Sequence, residues 1–314
     1  MKKVVFVDTV HPVLNDKLTA FGLKCIDATS LDKKECVKLL YDAFGIVVRS
    51  RFRVDKELLK DAKELKFIAR SGSGIENIDV SYCEQRNIAL FNSPEGNRNA
   101  VGEHTLGLLL NLLNKISKSD REFRSKTWDR EANRGEELDG KTIGIIGYGN
   151  NGQAFAKKLK GFDVTILAYD KYKSNFSEGL VVESTLSEIY NKADIISFHI
   201  PLNKETKCWV NDAFFTQFKK PIYLLNISRG EIVNTASLLD ALENGQVKGA
   251  GLDVIEFESS SFSSFLELIP KNIYQQLIDS EKTIFTPHVA GWTTESYYKL
   301  SDVLANKIKS HFCL

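Results

Sequence analysis

The sequence predicts an α/β protein made of two doubly wound parallel-sheet domains. Three observations carry that expectation. Short β-branched apolar runs alternate with amphipathic stretches almost from end to end, the pattern of strand–helix–strand units. One of those runs opens directly into a glycine-rich turn and a helix. The chain has 314 residues, room for two domains of ordinary size.

In the first third the candidate strands are Val4–Val7, Ile46–Val48, Phe67–Ala69 and Ile88–Phe91, separated by stretches such as "DKKECVKLLYDA". A long helical pattern from about Ala100 to Lys118 follows, then the polar segment "SDREFRSKTWDREANRGEELDGK"; the helix reads as a bridge between the two domains. Beyond it the candidate strands are Thr142–Ile146, Val164–Ala168, Ile195–His199, Ile222–Asn226, Gly249–Leu252 and Thr283–Phe285. There is no internal repeat, and the one low-complexity patch is "SSSFSS" at 259–264.

The stretch "KTIGIIGYGNNGQAFAKKLKGFDVTILAYD" has every part of a dinucleotide-binding unit. A buried strand ends at Gly147, Gly149 and Gly152 follow in G-x-G-x-x-G spacing, and a helix with Phe155 and Leu159 on one face leads to a second strand ending at Asp170. Gly147 permits the tight turn, Gly149 lets backbone approach a pyrophosphate, and Gly152 lets helix and strand pack closely. The amides of Asn150 and Asn151 at the helix start are placed to hold phosphate oxygens. Asp170, 18 residues past Gly152, suits the adenosine-ribose hydroxyls and repels a 2′-phosphate, which favours NAD over NADP; Lys171 and Lys173 weaken that preference.

Composition narrows the function classes. With 42 basic and 41 acidic side chains the net charge is +1, so no global field recruits nucleic acid or an anionic membrane. The most apolar segment, "LGLLLNLL" at 106–113, is too short to span a bilayer, and the N-terminal apolar run breaks at Asp8 as a strand would rather than a signal peptide. The five cysteines lack C-x-x-C spacing, so no metal site is expected, and free thiols point to a reducing, cytoplasmic setting.

Three later strand ends carry polar residues that packing does not require: Arg229 in "LLNISRGEIVN", Asp253 and Glu258 in "GAGLDVIEFE", and His288 in "IFTPHVAGW". The carboxyl ends of parallel strands are where open α/β sheets bind ligands. Hydride exchange with a 2-oxo acid requires a proton donor to the carbonyl oxygen, a cation for the carboxylate, and a carboxylate to orient the donor. His288, Arg229 and Glu258 suit those tasks in that order, Arg229 because a guanidinium binds a carboxylate bidentately.

These residues and motifs closely resemble the D-isomer-specific 2-hydroxyacid dehydrogenases, within them the phosphoglycerate dehydrogenase branch. The likeness runs through "VVRSRFRVDKELL", "IARSGSGIENID", "NSPEGNRNAVGEHTLGLLL", "ELDGKTIGIIGYGNNG", "FHIPLNKETK", "NISRGEIVN", "GAGLDV" and "TPHVAG", in the family's order. It implies a Rossmann NAD domain (99–288) inserted into a flavodoxin-like substrate domain (1–98 plus 289–314). It implies Arg229, Glu258 and His288 as catalytic residues. Asp253, Ile227, Ser228 and Gly291 are then expected near the nicotinamide end, with Ile200 and Pro201 on the adenine side. Backbone at Ser73 and Gly74 is expected to hold the substrate carboxylate, with Asn97 close by and Arg49 at the substrate's distal end. A homodimer through the NAD domain is implied as well, with Trp128 in the contact.

The sequence departs from the family in places. Ser259, not proline, follows Glu258, and 29 residues separate Glu258 from His288. The insertion "SSSFSSFLELIPKNIYQQLIDSEK" looks partly helical, either lining the ligand site or decorating the surface. It leaves Glu256 as an alternative to Glu258, which the spacing from "LDV" favours. Asn151 replaces an aliphatic residue, and Trp292 stands where a smaller residue is common. His104 reads as a packing or surface group, His199 as a hydrogen-bonded structural group rather than a cofactor contact, and Arg49, Arg51 and Arg53 as a phosphate site or a solvated strand edge.

The resulting expectation is an NAD-dependent dehydrogenase of a short D-2-hydroxy acid, with 3-phosphoglycerate leading because of "RSRFRV" and "SPEGN". Glyoxylate, hydroxypyruvate or D-lactate reduction is the alternative, and an NAD(H)-sensing corepressor-like binding protein the rival from another class. Nothing resembling the C-terminal regulatory domain of longer relatives is seen, so serine feedback through such a domain is not expected.

Overall fold

The computed structural model describes residues 1–258 and 269–314. They fall into two compact units, Met1–Arg98 with Trp292–Leu314, and the residues from Asn99 to Gly291. The first unit contains β1 (Lys3–Phe6), α1 (Val13–Ala20), β2 (Lys24–Asp27), α2 (Lys33–Leu40), β3 (Ala43–Val48), α3 (Lys56–Leu59), β4 (Phe67–Arg70), α4 (Val80–Gln85) and β5 (Ala89–Asn92). Its five parallel strands lie in the order β2-β1-β3-β4-β5, the flavodoxin-like arrangement.

The helix α5 (Pro94–Asn114) carries the chain into the second unit, which continues with α6 (Ile116–Arg124), β6 (Thr142–Ile146), α7 (Asn150–Lys158), β7 (Thr165–Tyr169), β8 (Val181–Glu183) and α8 (Leu186–Lys192). There follow β9 (Ile195–Phe198), α9 (Asp212–Phe215), β10 (Ile222–Asn226), α10 (Thr235–Glu243), β11 (Val247–Leu252), α11 (Lys271–Asp279) and β12 (Thr283–Phe285); α12 (Thr294–Phe312) then belongs to the first unit. The seven strands are parallel in the order β12-β11-β10-β9-β6-β7-β8. Strand order reverses between β6 and β9, the switch point at which a Rossmann sheet opens a ligand crevice beyond its carboxyl ends.

Alternation of side chains along each strand explains why the runs are apolar throughout. In the first unit Val5, Ile46, Val48 and Ile68 enter one core, while Val4, Phe6, Val47, Phe67 and Ala69 enter the other, against Leu304, Ala305 and Ile308 of α12. In the second unit Ile143, Ile145 and Ile166 face one side, and Ile146, Leu167, Ile196 and Phe198 the other. A sheet covered on both faces needs apolar residues at both parities. A capping box of Thr293 with Ser296 starts α12 and fixes the entry of that helix.

Three features differ from the sequence-based expectation. The strands β2 ("KCID") and β8 ("VVE") were not among the candidates; both are edge strands, short and largely not buried, so neither has the apolar run that marks a central strand. The bridging helix is broken at Lys115, whose φ of 52° is left-handed, because Asn111 turns back to accept from the Ser117 amide (2.8 Å) and donate to its hydroxyl (2.7 Å). The return to the first unit falls after Gly291 rather than after His288, since the amides of Val289 and Ala290 are bound to Asp253 of the second unit. Of the insertion, 271–279 form α11, and 259–268 lie outside the described residues. Among the described residues no helix is long and apolar enough to cross a membrane.

Candidate active site

The turn after β6 is shaped by two glycines in different ways. Gly147 has φ of 95°, a left-handed conformation, and a Cβ there would sit 2.6 Å from the His199 carbonyl oxygen. A Cβ on Gly149 would instead meet nothing within 4 Å, so the backbone here faces open space. Gly149 is the N-cap of α7 and supplies no side-chain cap, and the first amides of a helix are the ones its own ladder does not use. Together these form a cradle at a helix start that fits the pyrophosphate of a dinucleotide. Asn150 and Asn151 open that helix, and the Asn151 Oδ1 is buried without a hydrogen-bond partner among the described residues.

A cleft of about 410 Å³ lies beside the turn, lined by Gly147, Gly149, Asp170, Ile200, Pro201 and His199 among others. Its size falls in the roughly 300–1,000 Å³ range of small-ligand sites. Asp170 follows β7 directly; its Oδ2 accepts from the Tyr148 amide (2.8 Å) and its Oδ1 from the Tyr172 amide (2.9 Å), which fixes the carboxylate at the cleft wall. Each oxygen keeps a second lone pair for a ribose hydroxyl. Lys171 is ion-paired with Glu205 and Lys173 donates to the Tyr148 carbonyl, so neither amine is left without a protein partner. Burial holds the His199 imidazole down to about 3, so it is neutral, and its Nε2 meets Ser197 Oγ at 2.9 Å.

Three neighbouring strands bring the chemical candidates to one edge of this sheet. Arg229 follows β10, Asp253 and Glu258 follow β11, and His288 follows β12; Asn226, Leu252 and Phe285 are in register across them. His288 Nδ1 lies 2.8 Å from Glu258 Oε2, and the other oxygen, Oε1, accepts from the Ile255 amide at 2.7 Å. Glu256 is used elsewhere, capping α10 through the Thr235 amide (2.8 Å). With Nδ1 turned to Glu258, proton exchange with a ligand would fall to Nε2. Arg229 has its carbonyl held by Asn226 Nδ2 (3.0 Å) and one guanidinium nitrogen on the Ser228 carbonyl (2.6 Å). Ile227 and Ser228 are buried, the Ser228 hydroxyl turned onto Asn226 Oδ1 at 2.8 Å.

Asp253 serves the loop that carries His288. It is 1 % exposed; Oδ1 accepts from Thr286 Oγ1 (2.6 Å) and the Val289 amide (2.9 Å), Oδ2 from the Ala290 amide (2.8 Å). Its carbonyl accepts from the His288 amide at 2.8 Å. His104 of α5 completes the group, with Nε2 2.9 Å from Thr286 Oγ1 and 3.5 Å from Asp253 Oδ1. The network holds His288 at a φ of 54°, a left-handed conformation that costs a non-glycine residue on the order of 1–2 kcal/mol. From sequence His104 reads as a packing or surface group, since its partners lie about 150 and 180 residues away.

In the first unit, Ser73 Oγ donates to Asn97 Oδ1 (2.6 Å) and the Ser73 carbonyl accepts from Asn92 Nδ2 (2.7 Å), which orients the turn after β4. No hydrogen bond within the described residues uses the Ser73 and Gly74 amides, an arrangement able to receive a carboxylate. Arg70, at the end of β4, was not singled out in the sequence; its guanidinium lies under Gly72, where any Cβ would collide with it. An arginine closing a parallel strand beside a glycine-rich turn was the available signal. Arg49 follows β3 and stacks on Trp292, 4.3 Å from the ring centroid.

Residues 106–290 match the model of the D-isomer specific 2-hydroxyacid dehydrogenase NAD-binding domain. The D-3-phosphoglycerate dehydrogenase of Sus scrofa is 31 % identical over 310 residues, covering 97 % of this chain and 55 % of that protein; that of Archaeoglobus fulgidus is 33 % identical, covering 98 % and 56 %. The chain thus spans just over half the length of these curated relatives. The crystal structure of a D-lactate dehydrogenase from Aquifex aeolicus, complexed with NAD and lactic acid, superposes with a TM-score of 0.80 at 26 % identity, covering 99 % of this chain and 95 % of that one. An NADPH-dependent glyoxylate/hydroxypyruvate reductase from Sinorhizobium meliloti, solved with citrate, gives 0.82 at 25 % identity over 99 % and 95 %. The chain belongs to the D-isomer specific 2-hydroxyacid dehydrogenase family, with the family's NAD-binding domain in residues 106–290.

Proposed function

We propose that this protein is an NAD-dependent oxidoreductase that interconverts a small D-2-hydroxy acid and its 2-oxo acid, with 3-phosphoglycerate and phosphohydroxypyruvate as the leading pair. The observation that carries the reading is the His288–Glu258 pair at 2.8 Å, on the same carboxyl edge of the sheet as Arg229 and the glycine turn. NAD, when bound, supplies or accepts the hydride. Gly149 and the first amides of α7 hold its pyrophosphate, Asp170 its adenosine ribose, with Ile200 and Pro201 against the adenine and Ile227, Ser228 and Gly291 towards the nicotinamide. Asp253 contributes by fixing the His288 loop.

In the reductive direction Arg229 binds the oxo-acid carboxylate and polarises the carbonyl, and His288 donates its Nε2 proton to the carbonyl oxygen. Glu258 stabilises the imidazolium beforehand and keeps its orientation; in the oxidative direction the same imidazole takes the proton back. The amides of Ser73 and Gly74 and the side chain of Asn97 add carboxylate contacts, and Arg49 meets the distal group. The phosphoglycerate assignment is supported by the two relatives above, which carry that name. A second reading, reduction of glyoxylate, hydroxypyruvate or pyruvate, is favoured by the lactate and glyoxylate enzymes that share the fold.

A homodimer in the cytoplasm is part of the same proposal. Ile116, Phe123 and Trp128 are 56, 65 and 77 % exposed on and just after α6, an apolar surface suited to a second copy. The five cysteines are all unpaired, which suits a reducing compartment. The deciding experiment follows NADH and NADPH oxidation with phosphohydroxypyruvate, hydroxypyruvate, glyoxylate and pyruvate. The reading predicts NADH as the preferred donor and phosphohydroxypyruvate as the fastest acceptor; no oxidation with any of the four contradicts it.

A further inference from the structure

The loop after β3 carries three arginines that the structure treats differently. Arg51 spends its guanidinium on main-chain carbonyls: Nη1 on Val7 (3.1 Å) and Thr29 (2.7 Å), Nη2 on Leu31 (2.6 Å). It is a structural clamp, with both terminal nitrogens on main-chain carbonyls. Arg53 is exposed. Arg49 is neither: among the described residues its guanidinium hydrogen-bonds only the Thr9 carbonyl, from Nη1 at 3.5 Å, and its Cζ lies over the Trp292 indole. The nearby carboxylate, Asp8, accepts through Oδ2 from the backbone amides of Arg49 (2.5 Å) and Arg51 (3.3 Å) rather than from the Arg49 guanidinium. Burial lowers the Arg49 pKa from its ordinary value, opposed by the Asp8 charge, so this cation is partly dehydrated without a full counter-ion.

Trp292 is well placed to act as a plate. It directly precedes Thr293, the N-cap of α12, and its ring packs on Tyr297 at a centroid distance of 5.7 Å. Tyr297 in turn meets His11 at 5.4 Å. A guanidinium held over an indole face is restrained while its N–H groups remain able to bind an oxyanion bidentately. Less rotamer freedom is then lost when the anion arrives.

We propose that Trp292 is a specificity-determining residue, holding Arg49 as a preset fork for a second oxyanion at the far end of the ligand, so that the protein selects doubly anionic 2-hydroxy acids over those ending in a neutral group. The proposal rests on the reading that the chain binds 2-hydroxy acids, and it assigns Trp292 a role that the arginine alone does not imply. The oxyanion is a phosphate or a carboxylate, since both fit a guanidinium fork.

Equilibrium binding without turnover tests it. Calorimetric affinities for D-3-phosphoglycerate, D-malate and D-glycerate are compared in the full chain with Trp292→Ala, Trp292→Phe and Arg49→Gln. The wild type is expected to prefer at least one of the two dianions over D-glycerate by tenfold or more, and the favoured one identifies phosphate or carboxylate as the native group. Trp292→Ala is expected to cut that preference about tenfold while D-glycerate affinity stays within twofold, which also reports an intact fold. Trp292→Phe should keep most of the preference and Arg49→Gln should abolish it. An unchanged preference in Trp292→Ala, or a wild type that prefers neither dianion, overturns the proposal. Absence of turnover with every oxo acid would instead contradict the catalytic reading, and leaves the binding comparison to stand or fall by itself.

Discussion

At the scale of single residues, the site depends on which acceptor each short polar side chain has found. Asp253 is the clearest case, because both of its oxygens are engaged by the loop that bears His288. In Asp253→Asn one oxygen becomes an amide nitrogen facing a donor, leaving a buried amide without an acceptor, at about 1–3 kcal/mol. Turnover is therefore expected to fall about tenfold or more, with NADH affinity within about twofold by fluorescence titration. Unchanged turnover would mean that the loop is held otherwise. The glycine turn and Asp170 were legible in the sequence because their requirement is local: a left-handed φ, a backbone approach and a fixed spacing. The His104–Thr286–Asp253 group was not, since no local pattern joins residues so far apart. Likewise Arg49, Arg51 and Arg53 look equivalent in sequence, and only the carbonyls around Arg51 separate them.

At the scale of elements, strands with two covered faces announced themselves and edge strands did not. Ile143, Ile145 and Ile146 of β6 are all buried, whereas β8 has one buried residue in three, so periodicity alone had little to detect there. The polar segment after α6 is tied to the second unit's sheet by Glu136, which accepts from Lys141 Nζ (3.0 Å) and Tyr223 Oη (3.0 Å) and pairs with Lys248. Burial opposes its ionisation, but the hydrogen bonds from Lys248, Lys141 and Tyr223 prevail and lower its pKa to about 2. A depressed carboxyl pKa contributes stability that is present above the ordinary value of 4.5 and is lost as pH falls towards 2. Glu136→Gln should therefore lower the melting temperature by a few degrees at pH 7, on the order of 1 kcal/mol for a partly exposed cluster. The gap between variant and wild type should narrow steadily below pH 4.5 in thermal melts. An equal gap at pH 7 and pH 3 would contradict the assignment.

At the scale of the whole molecule, the same strand–helix alternation runs through both units, so periodicity predicted two doubly wound sheets and the helix that bridges them, but not where the chain returns to the first. The boundary came from the family resemblance, and its second crossing lies three residues later because Asp253 keeps Val289 and Ala290 with the second unit. The exposed Ile116, Phe123 and Trp128 lead to an expectation for assembly: light scattering should give a mass of two chains, and Trp128→Glu should shift the population towards one. A wild type that elutes as a monomer at micromolar concentration would remove the dimer. The central claim, that His288 oriented by Glu258 carries the proton, is tested most directly by His288→Ala. Measured with NADH and the best oxo acid of the panel, turnover should drop by about 10²-fold or more, the usual worth of a positioned acid, while NADH affinity is retained. Turnover within a few-fold of wild type would contradict the account.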